Sequence, residues 1–326
     1  MLNVEHSQFE TMNQLAEAKK AFFFLISFDM QVVHIFEEES LQDNPSIRFQ
    51  FPGKAFRNEK ITSIQNYSFK AFPESQEHFA KGFQHILQGL KRGNSYLANY
   101  TRKTKIETSL SLNQIFDHTH AKYKVWYNDE FVCFSPETFI EIKNHHITTH
   151  PMKGTIDADL PNAAETLRND VKEKAEHYTV VDLLRNDLSM VANNVKVEEF
   201  QRLDYIKTHN KNLYGMSSEI SGVLKSEYQN KIGSILQRLL PAGSILGAPK
   251  PKTLEMTLQA EGYDRKFYTG IAGWFDGENL DTCVMIRFIE KDGENFYFKS
   301  GGGITHLSKL EDEYQEMINK IYVPIY

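Results

Sequence analysis

Two glutamate pairs repeat one spacing in this 326-residue chain. Glu173 and Glu176 lie in "KEKAEHYTVVDLLRND", and Glu313 and Glu316 lie in "LEDEYQEMINK". Residues three apart share a face of a helix, so either pair alone also suits a solvated acidic surface. If the two helices face each other, four carboxylates converge and need a cation. An all-oxygen ligand set points to Mg2+. A di-iron centre would want histidine three residues after a glutamate. Here Thr179 and Asn319 stand at those offsets, and His177 is adjacent to Glu176 instead, which disfavours iron.

Other residues suit an anionic substrate. Gly301, Gly302 and Gly303 in "SGGGI" follow a strand pattern. Consecutive glycines let backbone N–H groups turn towards an anion, although they also suit a tight strand-to-helix turn. "PAGSILGAPK" (241–250) precedes a helix but is not a phosphate loop. Lys250 stands only three residues after Gly247, and Pro249 lacks an N–H. Its Gly and Ser residues and the helix start still suit a carboxylate. Arg287, in the strand-like "MIRF", is either half of an ion pair or an anion clamp. Lys153, in "THPMKGTID", is either a solvated turn residue or a held amine. Together these residues describe a site for a small polyanion bridged to Mg2+.

The elements that must position them read as strands and helices in blocks. "AFFFLISF" (21–28) is a buried strand, too short to cross a bilayer. The first 70 or so residues are otherwise strands and loops. A helix begins after Glu74, with Phe79, Phe83, Ile86, Leu87 and Leu90 on one face and Gly93 as its stop. "SYLANYTRKTKI" is a strand, and residues 131 to 150 are two strands about a turn at "KNHH". A long helix is predicted over 162–191, another over 228–240, and a third from Pro249. "FYTGIAGWF", "LDTCVMIRFI" and "NFYFKS" are strands joined by Asp-Gly turns, and a helix over 308–321 closes the chain. This pattern predicts an α+β fold of large antiparallel sheets with helices outside.

Composition narrows the class. The chain is 40% hydrophobic and 25% charged, with net charge -6 and no basic stripe, so nucleic acid is not an expected partner. Cys133 and Cys283 are far apart in sequence and form no metal spacing. No secretory signal or membrane span is visible, and a cytoplasmic location is expected.

The motifs "SPETF", "PMKGT", "KAEHYTVVDLLRNDL", "GSILGAPK", "YTGIAGW", "DTCVMIR", "SGGGI" and "EDEYQEMINK" run in the order of the chorismate-utilising enzymes, and residues 74 to 322 resemble that family. It comprises anthranilate synthase component I, aminodeoxychorismate (p-aminobenzoate) synthase component I, and the isochorismate and salicylate synthases. The resemblance implies two large antiparallel sheets packed face to face, as in anthranilate synthase component I. It divides the chain into a variable strand-rich part of the same globule (1–73) and a chorismate-binding core (74–326). It implies Glu176 and Glu316 as inner Mg2+ ligands and Glu173 and Glu313 as outer ones. It implies Arg287, Tyr268, Gly302 and Gly303 as the clamp on the enolpyruvyl carboxylate, with Lys320 and Ser244 at substrate-contact positions. Glu137 matches the family's general acid, which protonates the departing C4 hydroxyl and needs a raised pKa to do so.

Two positions select a branch. Lysine at 153 resembles the aminodeoxychorismate synthases, where the other branches usually carry alanine. There the amine is thought to attack C2 as the C4 hydroxyl leaves, after which ammonia adds at C4 and expels it. Leu97 stands where the water-adding branches carry a lysine base, and Lys103 and Lys105 are not at that position. The resemblance therefore implies amination at C4, with ammonia from a separate glutamine amidotransferase subunit in a heterodimer and a product destined for 4-aminobenzoate and folate. Three residues depart from the common pattern: Gly215 replaces a histidine (His209 lies six residues upstream), Leu246 replaces Thr or Ser, and Leu97 also replaces the glutamine of ammonia-using members. Anthranilate synthase component I and a non-catalytic chorismate-binding subunit are the alternative expectations.

Overall fold

The computed structural model describes residues 6–58, 66–206 and 212–325. Among them, two sheets of nine strands each are antiparallel throughout their pairings. The first sheet runs from the edge strand Met152–Asp157 through Leu213–Leu224, His146–Thr149, Thr138–Lys143, Leu280–Val284 and Ile271–Phe275 to Phe22–Ile26 and Val33–Glu37. Ala192–Ile206 also pairs with Leu213–Leu224. The second sheet contains Gly247–Ala248, Leu97–Thr108, Asn295–Ile304, Phe288–Asp292, Phe131–Ser135, Tyr123–Tyr127, Ile47–Phe51 and Lys54–Phe56, with Phe69–Phe72 against Leu97–Thr108.

Alternation along the strands explains the layering. In Phe22–Ile26 all five residues are buried. Phe23 and Leu25 join Phe49, Phe51, Tyr123, Val125 and Cys133 between the sheets. Phe22, Phe24 and Ile26 face the other way, onto Val180, Leu184, Ile235 and Leu236 of the covering helices. Full burial of each such phenylalanine contributes about 1.5–3 kcal/mol. A second helical layer, from Leu112–His118, covers the far side of the second sheet with Leu112, Ile115 and Phe116. The helices Gln76–Lys91, Lys250–Glu261 and Leu310–Asn319 pack together on the end that holds Tyr100 and Ile304.

Several boundaries differ from the sequence reading. A helix, His6–Glu17, stands in the N-terminal stretch read as strands and loops. The predicted helix over 162–191 is two helices, Ala163–Asn169 and Val171–Ser189, because Asp170 adopts extended geometry and caps the second by accepting from Glu173 N at 2.8 Å. The hairpin Ala192–Ile206 with Leu213–Leu224 was not foreseen. "VKVEEFQRLDY" carries so many charges that its alternation is masked, and its ladder has three register shifts. "LDTCVMIRFI" is not one strand: it ends at Val284 in the first sheet and resumes at Phe288 in the second. The glycines of "SGGGI" do not follow a strand but lie inside it, opposite Thr101, Tyr100 and Asn99.

Candidate active site

The chain changes sheet at two adjacent places, as corners of packed sheets require. It leaves the second sheet at Ser135 and enters the first at Thr138, with Pro136 and Glu137 between. It leaves the first at Val284 and re-enters the second at Phe288, with Met285, Ile286 and Arg287 between. The crossings are stitched together: Val284 N donates to Glu137 O, and Phe134 N donates to Arg287 O, both at 3.1 Å. Arg287 adopts φ +52°, a conformation uncommon for a residue with a side chain. The turn before Ile271 joins the same corner through Thr269 N to Met285 O and Met285 N to Gly270 O, both 2.8 Å, which places Tyr268. The fold thus delivers Glu137, Arg287 and Tyr268 to one point from three distant stretches of sequence.

Charge at this point is lopsided. Burial pushes the Glu137 carboxyl above its ordinary range, opposed by Lys153, by a hydrogen bond from Ser244, and by Lys320 and Arg287. Ser244 Oγ donates to Glu137 Oε1 at 3.2 Å. Burial lowers Lys320, opposed by Glu316, while Arg287 and Lys153 lower it further. The Lys320 ammonium donates to Gly301 O at 2.7 Å and to Glu316 Oε1 at 2.6 Å. Tyr268 is buried beside Phe288, and burial raises its phenol well above its ordinary range. Arg287 Nε approaches Tyr322 OH at 3.5 Å, a residue the sequence did not single out.

Lys153 belongs to an edge strand rather than a turn, with Met216 as its ladder partner. The register shifts between Lys153 and Thr155, and Gly154 takes φ +74°, so a bulge re-aims the strand here. The bare backbone of the glycine strand lies next to it. A Cβ added at Gly303 would sit 3.3 Å from Lys153 Nζ and 3.1 Å from Leu97 Cδ1. One at Gly302 would sit 3.1 Å from Glu316 Oε1 and 3.5 Å from Glu313 Oε2, and one at Gly154 2.8 Å from Glu173 Oε2. Successive strand residues face opposite ways, so glycine backbone is what separates the amine from the acidic pair. Glu313 is buried, as is Glu176 one turn beyond Glu173, while Glu316 is nearly half exposed.

The structure therefore gathers Glu137, Lys153, Ser244, Tyr268, Arg287 and Lys320 about one carboxyl, and sets Glu313 and Glu316 at Gly302 and Glu173 at Gly154. Among the described residues, no three His, Cys, Asp or Glu side chains close into a ready cation cage. The carboxylate donors nonetheless fit Mg2+, which is commonly held by one or two carboxylates together with water and substrate oxygens. Of the three departures from the common pattern, Gly215 lies in register between Thr155 and Asp204, and Leu246 is fully buried beside the Ser244 turn. Leu97 is 2% exposed. His209 falls outside the described residues.

The support behind the glycines has no signature in the motifs. Glu261 and Arg265, i,i+4 partners with wholly buried side chains, are joined at 2.7 Å. Glu261 Oε1 accepts from Thr101 N and Thr101 Oγ1, both at 2.7 Å, and Arg265 Nη2 donates to Asn99 O at 2.8 Å. Among the described residues, neighbouring strands pair with Leu97–Thr108 on this side only at 97–98 and 105–108, and the pair satisfies backbone groups between them. Those backbone groups belong to the residues opposite Gly301 and Gly303.

Residues 65–325 match the chorismate binding enzyme family. An uncharacterised PabA-like protein of Haemophilus influenzae is 48% identical over 318 residues, covering 97% of this chain and 96% of its own length. The aminodeoxychorismate synthase component 1 of Bacillus subtilis is 28% identical over 267 residues, covering 77% of this chain and 56% of that protein. In fold, the chain is similar to anthranilate synthase component I from Streptococcus pneumoniae, with TM-score 0.72 at 19% identity over 95% of this chain and 84% of that one. It is also similar to the menaquinone-specific isochorismate synthase of Escherichia coli, with TM-score 0.70 at 16% identity over 97% and 80%. From the extent of the family match and the corner that gathers its motifs, the chain belongs to the chorismate binding enzymes.

Proposed function

We propose that the protein is an aminodeoxychorismate synthase component I, aminating chorismate at C4 with ammonia from a glutamine amidotransferase partner. The observation that carries this reading is the Lys153 amine, placed over Gly303 in the electrostatic reach of Glu137. Relatives named PabA-like and aminodeoxychorismate synthase component 1 support it. Arg287 and Lys320 offer the cationic charge that a substrate carboxylate needs, and charge-assisted contacts of this type orient it. Glu137, whose pKa burial raises, gives its proton to the C4 hydroxyl, which departs as water. The neutral Lys153 nitrogen forms a bond to C2 as both conjugated ring double bonds shift and the C4–O bond breaks, and the nitrogen then loses a proton. Ammonia bonds to C4 and loses a proton, both double bonds shift back, and the C2–N bond breaks to release the lysine, which takes a proton as it leaves. Glu173, Glu176, Glu313 and Glu316 would hold Mg2+, which supplies charge neutralisation for the ring carboxylate. Leu97 presents a methyl group beside the amine and has no group with which to activate water.

The test is incubation of the purified protein with chorismate, Mg2+ and excess ammonium, with the product identified by mass and retention. The expected product is 4-amino-4-deoxychorismate, absent with Lys153→Ala. Anthranilate and pyruvate in its place would overturn the C4 assignment. Unchanged chorismate, from folded protein that binds it, would overturn catalysis. Addition of the cognate amidotransferase should let glutamine replace ammonium, and failure of glutamine to support turnover would overturn the partner assignment.

A further inference from the structure

Two charged residues of the sequence motifs have no part in the chemistry above: Asp187 of "LLRNDL" and Lys250 of "GAPK". Asp187 lies near the C-terminal end of the helix Val171–Ser189 and is 7% exposed. Its Oδ2 is 3.0 Å from Lys250 Nζ, and the Gly243 backbone lies against its carboxylate. Lys250 Nζ also donates to Leu239 O at 2.6 Å. The pair thus ties down both ends of the segment between Leu239 and Lys250. Gly243 is pressed against it: a Cβ there would lie 2.7 Å from Asp187 Oδ2 and 3.0 Å from Leu183 Cγ. The next residue is Ser244, whose hydroxyl donates to Glu137.

We propose that Asp187, braced by Lys250, is a positioning residue that holds the Gly243–Ser244 backbone where the Ser244 hydroxyl meets Glu137. An ion pair serving stability alone has no need to press on the residue before Ser244 so closely that it excludes a side chain from position 243. The same helix carries Glu173 and Glu176 near its other end. At about 1.5 Å of rise per residue, Glu176 and Asp187 are about 17 Å apart along it. One rigid rod therefore sets the acidic pair and, through Asp187, the donor to the acid. This inference rests on Glu137 being the acid of the proposed reaction.

The test is a double-mutant cycle of Asp187→Ala and Ser244→Ala, with Asp187→Asn alongside, reading kcat and KM for chorismate with ammonium. Each alanine variant is expected to lower kcat about tenfold, the scale of one lost hydrogen bond, with KM within about twofold. The double variant is expected to fall no further, because the second change has nothing left to remove. Asp187→Asn, which keeps the shape against Gly243 but loses the charge that holds Lys250, should lie between. A double variant down about a hundredfold, or an Asp187→Ala effect confined to melting temperature, would overturn the proposal. Should Asp187→Ala fail to fold, Gly243→Ala takes its place in the cycle, displacing the segment from its own side with both charged residues intact.

A second readout needs no turnover. The Glu137 carboxyl, assigned by its loss in Glu137→Gln, is titrated by infrared spectroscopy while still faced by Lys153, Lys320 and Arg287. Ser244→Ala, Asp187→Ala and the double variant should raise its titration point by the same amount, each losing one hydrogen bond to the ionised form. No change in Asp187→Ala would overturn the proposal. Shared titration shifts in a protein inert towards chorismate would defeat the functional reading alone, whereas an active protein without them would defeat this inference alone.

Discussion

Two clusters of charge flank the glycine strand, one buried and one half-buried, and they are built on opposite plans. At Glu261–Arg265 one acid meets one base, and their side-chain hydrogen bonds end on Thr101, Asn99, Ile245 and Thr269 as well as on each other. At Glu137 one carboxyl, bonded by Ser244, faces three cations supplied by three separate elements. The first arrangement holds backbone in place. The second keeps an excess of positive charge around a proton donor, which is what an incoming dicarboxylate would neutralise. The difference teaches that charge burial alone does not mark a site, whereas charge imbalance at a half-buried proton donor does.

Substitutions should separate the two plans. Glu137→Gln should lower kcat by roughly 10²–10⁴, the range for loss of a general acid, while the protein stays folded. A variant with near-native turnover would remove Glu137 from the chemistry. Arg265→Met should do the reverse, costing about 3–5 kcal/mol of stability in denaturant titration because it strands the buried Glu261 carboxylate. A loss under about 1 kcal/mol would mean that this pair is not structural. Arg287→Gln should raise KM for chorismate about 10- to 100-fold, corresponding to about 1.5–3 kcal/mol for a hydrogen bond to a charged group. An unchanged KM would exclude it from the clamp.

Neighbouring glycines sharpen the same contrast. A Cβ at Gly301 would lie 2.2 Å from the backbone oxygen of Tyr100, so Gly301→Ala should destabilise the ladder by about 1–3 kcal/mol. At Gly303 the nearest atoms are the ends of the Leu97 and Lys153 side chains, so Gly303→Ala should leave the melting temperature nearly intact and impair turnover. Equal loss of stability in both would refute the distinction.

The smallest effect is a stability change with pH. The folded-state pKa of Glu137 is raised, so the native state holds that proton more tightly than the unfolded chain does. The resulting stability is present below the unfolded carboxyl range, near pH 4.3, and is lost as pH rises through the raised value. Glu137→Gln does not suffer this loss and should melt higher than wild type at pH 8, the gap closing towards pH 4. The same sign makes wild-type kcat fall as pH rises through that value.

Much of this was legible before any geometry. The glutamate pairs, Glu137, Lys153 and Arg287 stand in motifs whose spacing and order carry information. Sheets and helices followed where apolar periodicity was strong, as in Phe22–Ile26 and Gln76–Lys91. What could not be read was where the chain changes sheet. "CVMIRF" is uninterrupted apolar strand pattern apart from its arginine, and nothing local signals that Val284 and Phe288 lie in different sheets. The charged hairpin after Ala192 hid for the opposite reason, since its exposed side masks the period of two. Arg265 and Glu261 carry no sequence signal because an acid and a base four apart in sequence are commonplace at surfaces, and only the structure shows them buried.

The paired crossings at Glu137 and Arg287 also bear on how this chain can tolerate insertions and deletions. Side chains alternate with a period of two, so adding one residue between Ser135 and Thr138 inverts facing in whichever strand shifts, and the same holds between Val284 and Phe288. The hairpin turns at 276–279 and 292–295 have no such leverage, because their loops lie outside the sheet layers. A scan of single-residue insertions, read by yield of folded protein, should be silent at those turns and lethal at the crossings. Site and architecture would then share one point at which chain length is fixed to the residue.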